Sequence, residues 1–217
     1  MFGSLGVKYH QRVKDTTRAD VTAFVLAGGK SSRMGSDKAF LRLGDETLLA
    51  HAMKLASVVA REVRIVGDAS KFAAFGPVVE DVFRDRGPLG GIHGALSSSM
   101  TRLNVMLAVD IPFVIADFLE YLLFRARESG AMVTLPRANG GLQPLCGVYQ
   151  RGFVEVAEQS LRDGKNKIDS LFGRVETCVI EEDELLRAGF SVEMFRNLNT
   201  PQELEQARSL GFDRGPD

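Results

Sequence analysis

The stretch Leu26 to Phe40 reads LAGGKSSRMGSDKAF and brings two adjacent glycines, three hydroxyls and three cations together directly after an apolar run. Glycines adopt backbone conformations closed to other residues and let N–H groups approach a phosphate closely. Lys30, Arg33 and Lys38 add charge-assisted donors, so the loop has the composition of a polyphosphate cradle. It is not a Walker A loop, because Gly35 is followed by Ser36-Asp37 rather than Lys-Ser/Thr, and there is no GxGxxG. A surface turn in which glycine ends the strand and the cations are solvated has the same ingredients. Glycines and charges alone do not separate the two.

Further polar groups sit where such a site needs them. Asp110 follows the apolar run LNVMLAV and precedes Pro112, so its carboxylate lies at a strand end. It either faces the ligand crevice or serves as a turn residue. Asp81 ends the short run PVVED at another strand end, under the same two readings. His93 reads as a structural histidine. Asn199 in NLNTP fits ordinary turn chemistry as well as a site, and Arg162, Lys165 and Lys167 in RDGKNKI fit a solvated face.

The elements that must position these residues follow from periodicity. VTAFVLAGG is apolar on both faces, as in the middle of a parallel sheet. TLLAHAMKLASVVA then places Leu48, Leu49, Ala52, Met53, Ala56 and Val59 at helical spacing, and EVRIVG returns as a strand. The alternation continues through a short strand PVVE, a helix from about Pro88 to Ser98, the strand LNVMLAV and a helix over DFLEYLLFRARES. Beyond these come the strands AMVTLP and QPLCGVY, helices over FVEVAEQSL and KIDSLFG, a strand near ETCVIE, and a closing helix TPQELEQARSLG with a capping box at Thr200 and Glu203. Two strands nearly adjacent in sequence require at least one antiparallel member. The fold class is α/β, a Rossmann-like three-layer sandwich with a mostly parallel central sheet and at least one antiparallel strand. Ligands of such sheets bind outside the carboxyl ends of the strands, where Gly28, Gly29 and Asp110 fall.

Composition bounds the partners. The chain has 217 residues, 45% apolar and 25% charged, with a formal net charge of -1. This is a globular composition without a general electrostatic reason to bind nucleic acid or an anionic membrane. No apolar run reaches the length of a membrane span, and residues 1–20 lack the apolar middle of a signal peptide, so a cytoplasmic protein is expected. We expect a loosely attached N-terminal extension over 1–20, one domain over 21–211 and a short tail over 212–217, as a monomer or weak oligomer. Cys146 and Cys178 sit in apolar strand-like runs and read as reduced thiols without chemistry.

The loop AGGKSSRMGSDKAFLRLGDETLL resembles the signature of sugar-nucleotide-type nucleotidyltransferases, and its spacing G-G-x-S-x-R-M-G-x-D-K resembles the molybdenum cofactor guanylyltransferase group most. Matching segments follow in order: VVED, GPLGGIHGAL, VDIP, QPLCGVY and NLNTPQEL, together spanning roughly residues 20–210. The resemblance implies transfer of GMP from Mg·GTP to the terminal phosphate of Mo-molybdopterin. Asp110 would bind Mg²⁺, Lys38 would stabilise the transferring phosphate, Arg33 with the Gly28-Gly29 amides would hold the leaving pyrophosphate, and Asp81 would read guanine. Leu26, Ala27, Gly28, Gly29, Gly67, Gly90 and Gly91 would lie against the nucleotide. Lys165, Lys167 and Asn199 would meet the acceptor, and contacts with cofactor-insertion and molybdoenzyme client proteins would follow. The chain departs from the pattern at Gly67, where relatives often carry Asn, and at Val109 and Ile111, where many have Cys and Thr. Cytidylyl transfer, transfer to a sugar phosphate, and a non-catalytic nucleotide or cofactor carrier remain as alternatives.

Overall fold

The computed structural model describes residues 18–28, 37–198 and 203. Its core is a sheet in which β1 (Val21–Leu26) lies between β4 (Glu62–Val66) and β6 (Leu103–Ala108), both parallel to it. β5 (Val78–Val79) extends the sheet beyond β4. On the other side β9 (Cys146–Gln150) runs antiparallel to both β6 and β7 (Val133–Ala138), and β10 (Thr177–Ile180) closes that edge parallel to β7. The order is therefore β10-β7-β9-β6-β1-β4-β5, with the two-residue β8 (Gly141–Leu142) pairing antiparallel with β7. The antiparallel member required by the close spacing of AMVTLP and QPLCGVY is β9.

Alternation along the central strands sorts their side chains onto two faces. Val21, Ala23 and Val25 of β1 and Leu103, Val105 and Leu107 of β6 face a core shared with Leu49, Ala52 and Ala56 of α1 (Leu48–Val59) and Phe118 and Leu122 of α4 (Ala116–Ser129). Phe24 and Met106 point the other way, onto Leu89, Ile92 and Leu96 of α3 (Gly87–Ser98) and Phe153, Ala157 and Leu161 of α5 (Phe153–Arg162). Helices on both faces of one sheet give the three-layer sandwich expected.

Local signals set the boundaries. Thr47 caps α1 by accepting the Ala50 N–H at 3.1 Å, and Gly130, at φ 65°, ends α4 with its N–H on the Ala126 carbonyl. Periodicity did not mark the short pieces: the hairpin β2 (Arg42–Leu43) and β3 (Glu46–Thr47), the one-turn helices α2 (Ala69–Phe72) and α6 (Asp169–Phe172), α7 (Glu182–Arg187) and the 3-10 turns at Lys38–Phe40 and Val192–Phe195. The exception is α6, for which KIDSLFG predicts a longer helix than the one turn formed. Of the residues assigned to an N-terminal extension, Arg18–Asp20 form a 3-10 turn whose Asp20 accepts from Arg127 at 2.8 Å. The rest of that extension, and the closing helix apart from Glu203, lie outside the described residues.

Candidate functional site

Register places the candidate residues along one edge of the sheet. Leu26 is paired with Ala108 on one side and Val66 on the other, and Val66 with Val79. The residues that follow each strand therefore emerge together: Ala27-Gly28, Val109-Asp110, Gly67 and Glu80-Asp81. Backbone bonds lock this edge. The Ala27 and Gly28 amides both donate to the Val66 carbonyl at 3.0 Å, Gly67 donates to Val79 at 3.0 Å, and Val109 donates to Leu26 at 3.3 Å. The chain runs from β1 outward to β4 and β5, then crosses back to β6 on the other flank of β1. The carboxyl ends of β1 and β6 thus border a topological switch point.

Two groups of side chains face this crevice. In the first, Lys38 Nζ lies 3.4 Å from Asp110 Oδ2, both groups partly buried, although 72 positions separate them in sequence. Lys38 opens the 3-10 turn, which Asp37 caps by accepting the Ala39 N–H at 3.3 Å. Asp110 is fixed through its backbone, its carbonyl accepting the Leu198 N–H at 2.8 Å. Val109 and Ile111, where the chain departs from the pattern, are both buried in the core, so their side chains serve packing.

The second group surrounds Asp81. A Cβ on Gly90 would lie 3.5 Å from one Asp81 carboxylate oxygen and 2.8 Å from the Phe83 carbonyl, and a Cβ on Gly91 would lie 3.6 Å from the other oxygen and 3.9 Å from Leu26. The glycine pair therefore lets the first turn of α3 approach the carboxylate. Burial alone pushes the Asp81 pKa above the ordinary carboxylate range, and no hydrogen-bond or ion-pair partner for its side chain is found among the described residues. A half-buried carboxylate without a protein donor suits a ligand that brings donors.

Gly67 has its own reason. A Cβ there would sit 2.7 Å from the Phe72 ring, and one on Gly28 would sit 3.5 Å from the Gly67 Cα. Phe72, almost fully buried, occupies the space that a side chain at position 67 would need. His93 is buried on α3, edge-on to Phe83 at 5.0 Å, and burial lowers its pKa, which agrees with a structural histidine. Cys146 is buried and Cys178 partly so, and both are free thiols.

Lys165 and Lys167 lie in the exposed turn after α5, Lys165 at 3.9 Å from Asp163, and neither is joined to the crevice by an ion pair or hydrogen bond among the described residues. Gly29, Arg33 and Asn199 lie outside the described residues. Sequence reasoning missed Lys71, whose ammonium reaches Asp37 Oδ2 at 3.0 Å, and the Phe40, Phe72 and Phe75 cluster beside it.

A divalent cation at Asp110 is compatible with this donor set. No group of three or more His, Cys, Asp or Glu ligands exists among the described residues. Mg²⁺ commonly binds through one or two carboxylates, with substrate phosphates and water completing its shell, and one partly exposed aspartate at the crevice meets that requirement. No helix among the described residues is long and apolar enough to cross a membrane.

Comparison with known proteins adds the family context. Residues 23–178 match the family described as MobA-like NTP transferase domain. A probable molybdenum cofactor guanylyltransferase of Pelotomaculum thermopropionicum is 35% identical over 192 residues, covering 87% of this chain and 92% of the relative. The crystal structure of the molybdopterin-guanine dinucleotide biosynthesis protein A from Archaeoglobus fulgidus superposes with a TM-score of 0.77 at 24% identity, over 89% of this chain and all of that one. A Mycobacterium tuberculosis protein crystallised as a manganese complex shares the fold, with a TM-score of 0.55 at 19% identity over 76% of this chain and 89% of its own.

Proposed function

The chain belongs to the MobA-like NTP transferase domain family and is a nucleotidyltransferase, and from that premise we propose that it transfers GMP from GTP to the terminal phosphate of Mo-molybdopterin. The products are the guanine dinucleotide form of the cofactor and pyrophosphate. An oxygen of the acceptor phosphate attacks the α-phosphorus of GTP, the bond from that phosphorus to the oxygen bridging to the β-phosphate breaks, and pyrophosphate leaves with the electron pair. The acceptor phosphate is already an anionic nucleophile. The site therefore needs no Ser-His or Cys-His pair, only positioning and electrostatic stabilisation.

The residues divide that work. Lys38 places an ammonium at the mouth of β1 beside Asp110, where it can neutralise charge that builds on the transferring phosphate. The Gly28 and Gly29 segment and Arg33 would hold the leaving pyrophosphate. Asp110 would hold Mg²⁺, which when bound neutralises phosphate charge and polarises the phosphoryl group. Lys165, Lys167 and Asn199 are proposed to meet the acceptor, since ammonium groups and a side-chain amide suit its phosphate.

The single observation that carries the guanine reading is the half-buried Asp81 carboxylate facing the Gly90-Gly91 turn without a protein donor among the described residues. Guanine presents a ring N–H and an exocyclic amine side by side, which one carboxylate can accept; adenine presents no such donor pair. Thermal shifts with GTP, CTP and ATP in the presence of Mg²⁺ test it, because a ligand that binds the native state raises its stability by mass action. GTP should stabilise the wild type most. Asp81→Asn sets an amide donor against a base donor, and we expect it to cost about 2–4 kcal/mol of GTP binding, roughly 30-fold to 1,000-fold, with far smaller losses for ATP and CTP. A wild-type preference for CTP, or an Asp81→Asn variant that keeps its GTP preference, would contradict the guanine assignment.

A further inference from the structure

Asp37, directly before Lys38, divides its two oxygens between two tasks. Oδ1 accepts the Ala39 N–H at 3.3 Å and so caps the turn that carries Lys38. Oδ2 accepts from Lys71 Nζ at 3.0 Å, across 34 positions of sequence. The helix that bears Lys71 is itself anchored. Asp68 caps it through the Ser70 N–H at 2.9 Å, and Glu80 Oε1 accepts the Ala69 N–H at 3.3 Å. Phe72 packs against Phe40 with ring centroids 5.6 Å apart, and Phe40 in turn lies 5.5 Å from Phe75. An ion pair and an aromatic contact thus tie the Lys38–Phe40 turn to the segment that follows β4.

The ion pair has a consequence for charge. An unpaired carboxylate at Asp37 would stand one residue from the Lys38 ammonium and compete with Asp110 and with a bound phosphate for it. Lys71 occupies that carboxylate. We infer that Lys71 is a positioning residue for nucleotidyl transfer: by neutralising Asp37 it holds the Lys38 turn and leaves the Lys38 ammonium to Asp110 and the transferring phosphate. The hydrogen bond that Lys71 donates to Asp37 also raises the Lys71 pKa, so the lysine stays charged throughout the neutral range.

The effect on turnover rests on the GMP-transfer reading; the effect on the turn does not. Amide hydrogen exchange in the ligand-free protein reads the turn directly. Lys71→Met should speed exchange at Ala39, Phe40 and Leu41 by about tenfold while β1 and β6 keep their protection. Unchanged exchange at these amides overturns the inference. In steady-state GMP transfer, Lys71→Met should lower kcat about tenfold with KM for GTP within about threefold, and its melting temperature should stay within about 2 °C of wild type because the lysine is half-exposed and ion pairs of this kind contribute little to stability. Lys71→Arg should restore most of the rate. Asp37→Asn added to Lys71→Met should also restore it, because the amide still caps the turn through its carbonyl oxygen but no longer competes for the ammonium. A purely structural role predicts that the double variant is worse than the single one, and that result overturns the charge-competition mechanism. If wild-type protein transfers no GMP, the proposed function falls while the exchange measurement still decides the role of Lys71.

Discussion

Lys38 and Asp110 meet at 3.4 Å, and their chemistry separates cleanly by substitution. Lys38→Ala removes one preorganised positive donor, so kcat for GMP transfer should fall by roughly 10² or more with little change in thermal stability. A variant with near-normal turnover contradicts the role. Asp110→Asn keeps the shape but leaves a poor ligand for a hard cation. Titrating GTP with and without Mg²⁺ should then show that the metal strengthens binding in the wild type and hardly at all in the variant. Equal metal enhancement in both would make Asp110 a turn residue. Asp81 adds a pH signature. Its pKa is raised by burial, so the folded protein binds more protons there than the unfolded chain does, and the group subtracts stability increasingly as pH rises through that raised value. Asp81→Asn should therefore raise the ligand-free melting temperature at pH 7, and the gain over wild type should shrink as pH falls toward about 4. A gain that is absent at pH 7, or that grows on acidification, contradicts a carboxylate destabilised by desolvation.

At the scale of the elements, close backbone approach shapes the Asp81 end of the crevice. A Cβ at Gly90 would lie 2.8 Å from the Phe83 carbonyl, a backbone atom, whereas a Cβ at Gly173 meets nothing within 4 Å. Gly90→Ala should cost about 1–3 kcal/mol in denaturant unfolding and weaken GTP binding by pushing the Asp81–Arg86 loop outward. Gly173→Ala should be neutral or slightly stabilising through the unfolded chain. Equal stability of the two variants would show that the approach of α3 to Asp81 is not tight. These contacts explain what sequence could and could not disclose. The apolar strands and amphipathic helices announce themselves by period, and strand ends mark Asp81 and Asp110 without any knowledge of pairing. The Lys71 to Asp37 bond has no such mark. It joins a one-turn helix to a loop, and neither segment is long enough to carry a periodicity. Gly67 is similar: its sequence shows a missing side chain, and only the Phe72 ring shows what took the space.

The whole molecule turns on strand order. That β9 inserts antiparallel between β6 and β7 could be expected only in part, because close spacing requires an antiparallel strand but does not say which or where. The order places β1 between β4 and β6, and this brings Lys38, Asp110 and Asp81 to one edge from three separate stretches of chain. The family match makes the chain a nucleotidyltransferase, and this edge is the site proposed for it. The claim that rests on all of this is GMP transfer, and the most direct measurement incubates the purified protein with Mg²⁺, GTP labelled at the α-phosphate and Mo-molybdopterin. The account predicts stoichiometric pyrophosphate and label in a guanine dinucleotide product, with CTP and ATP poor donors. Label transfer from CTP in preference to GTP, or no transfer to the pterin while nucleotide still binds, would contradict it.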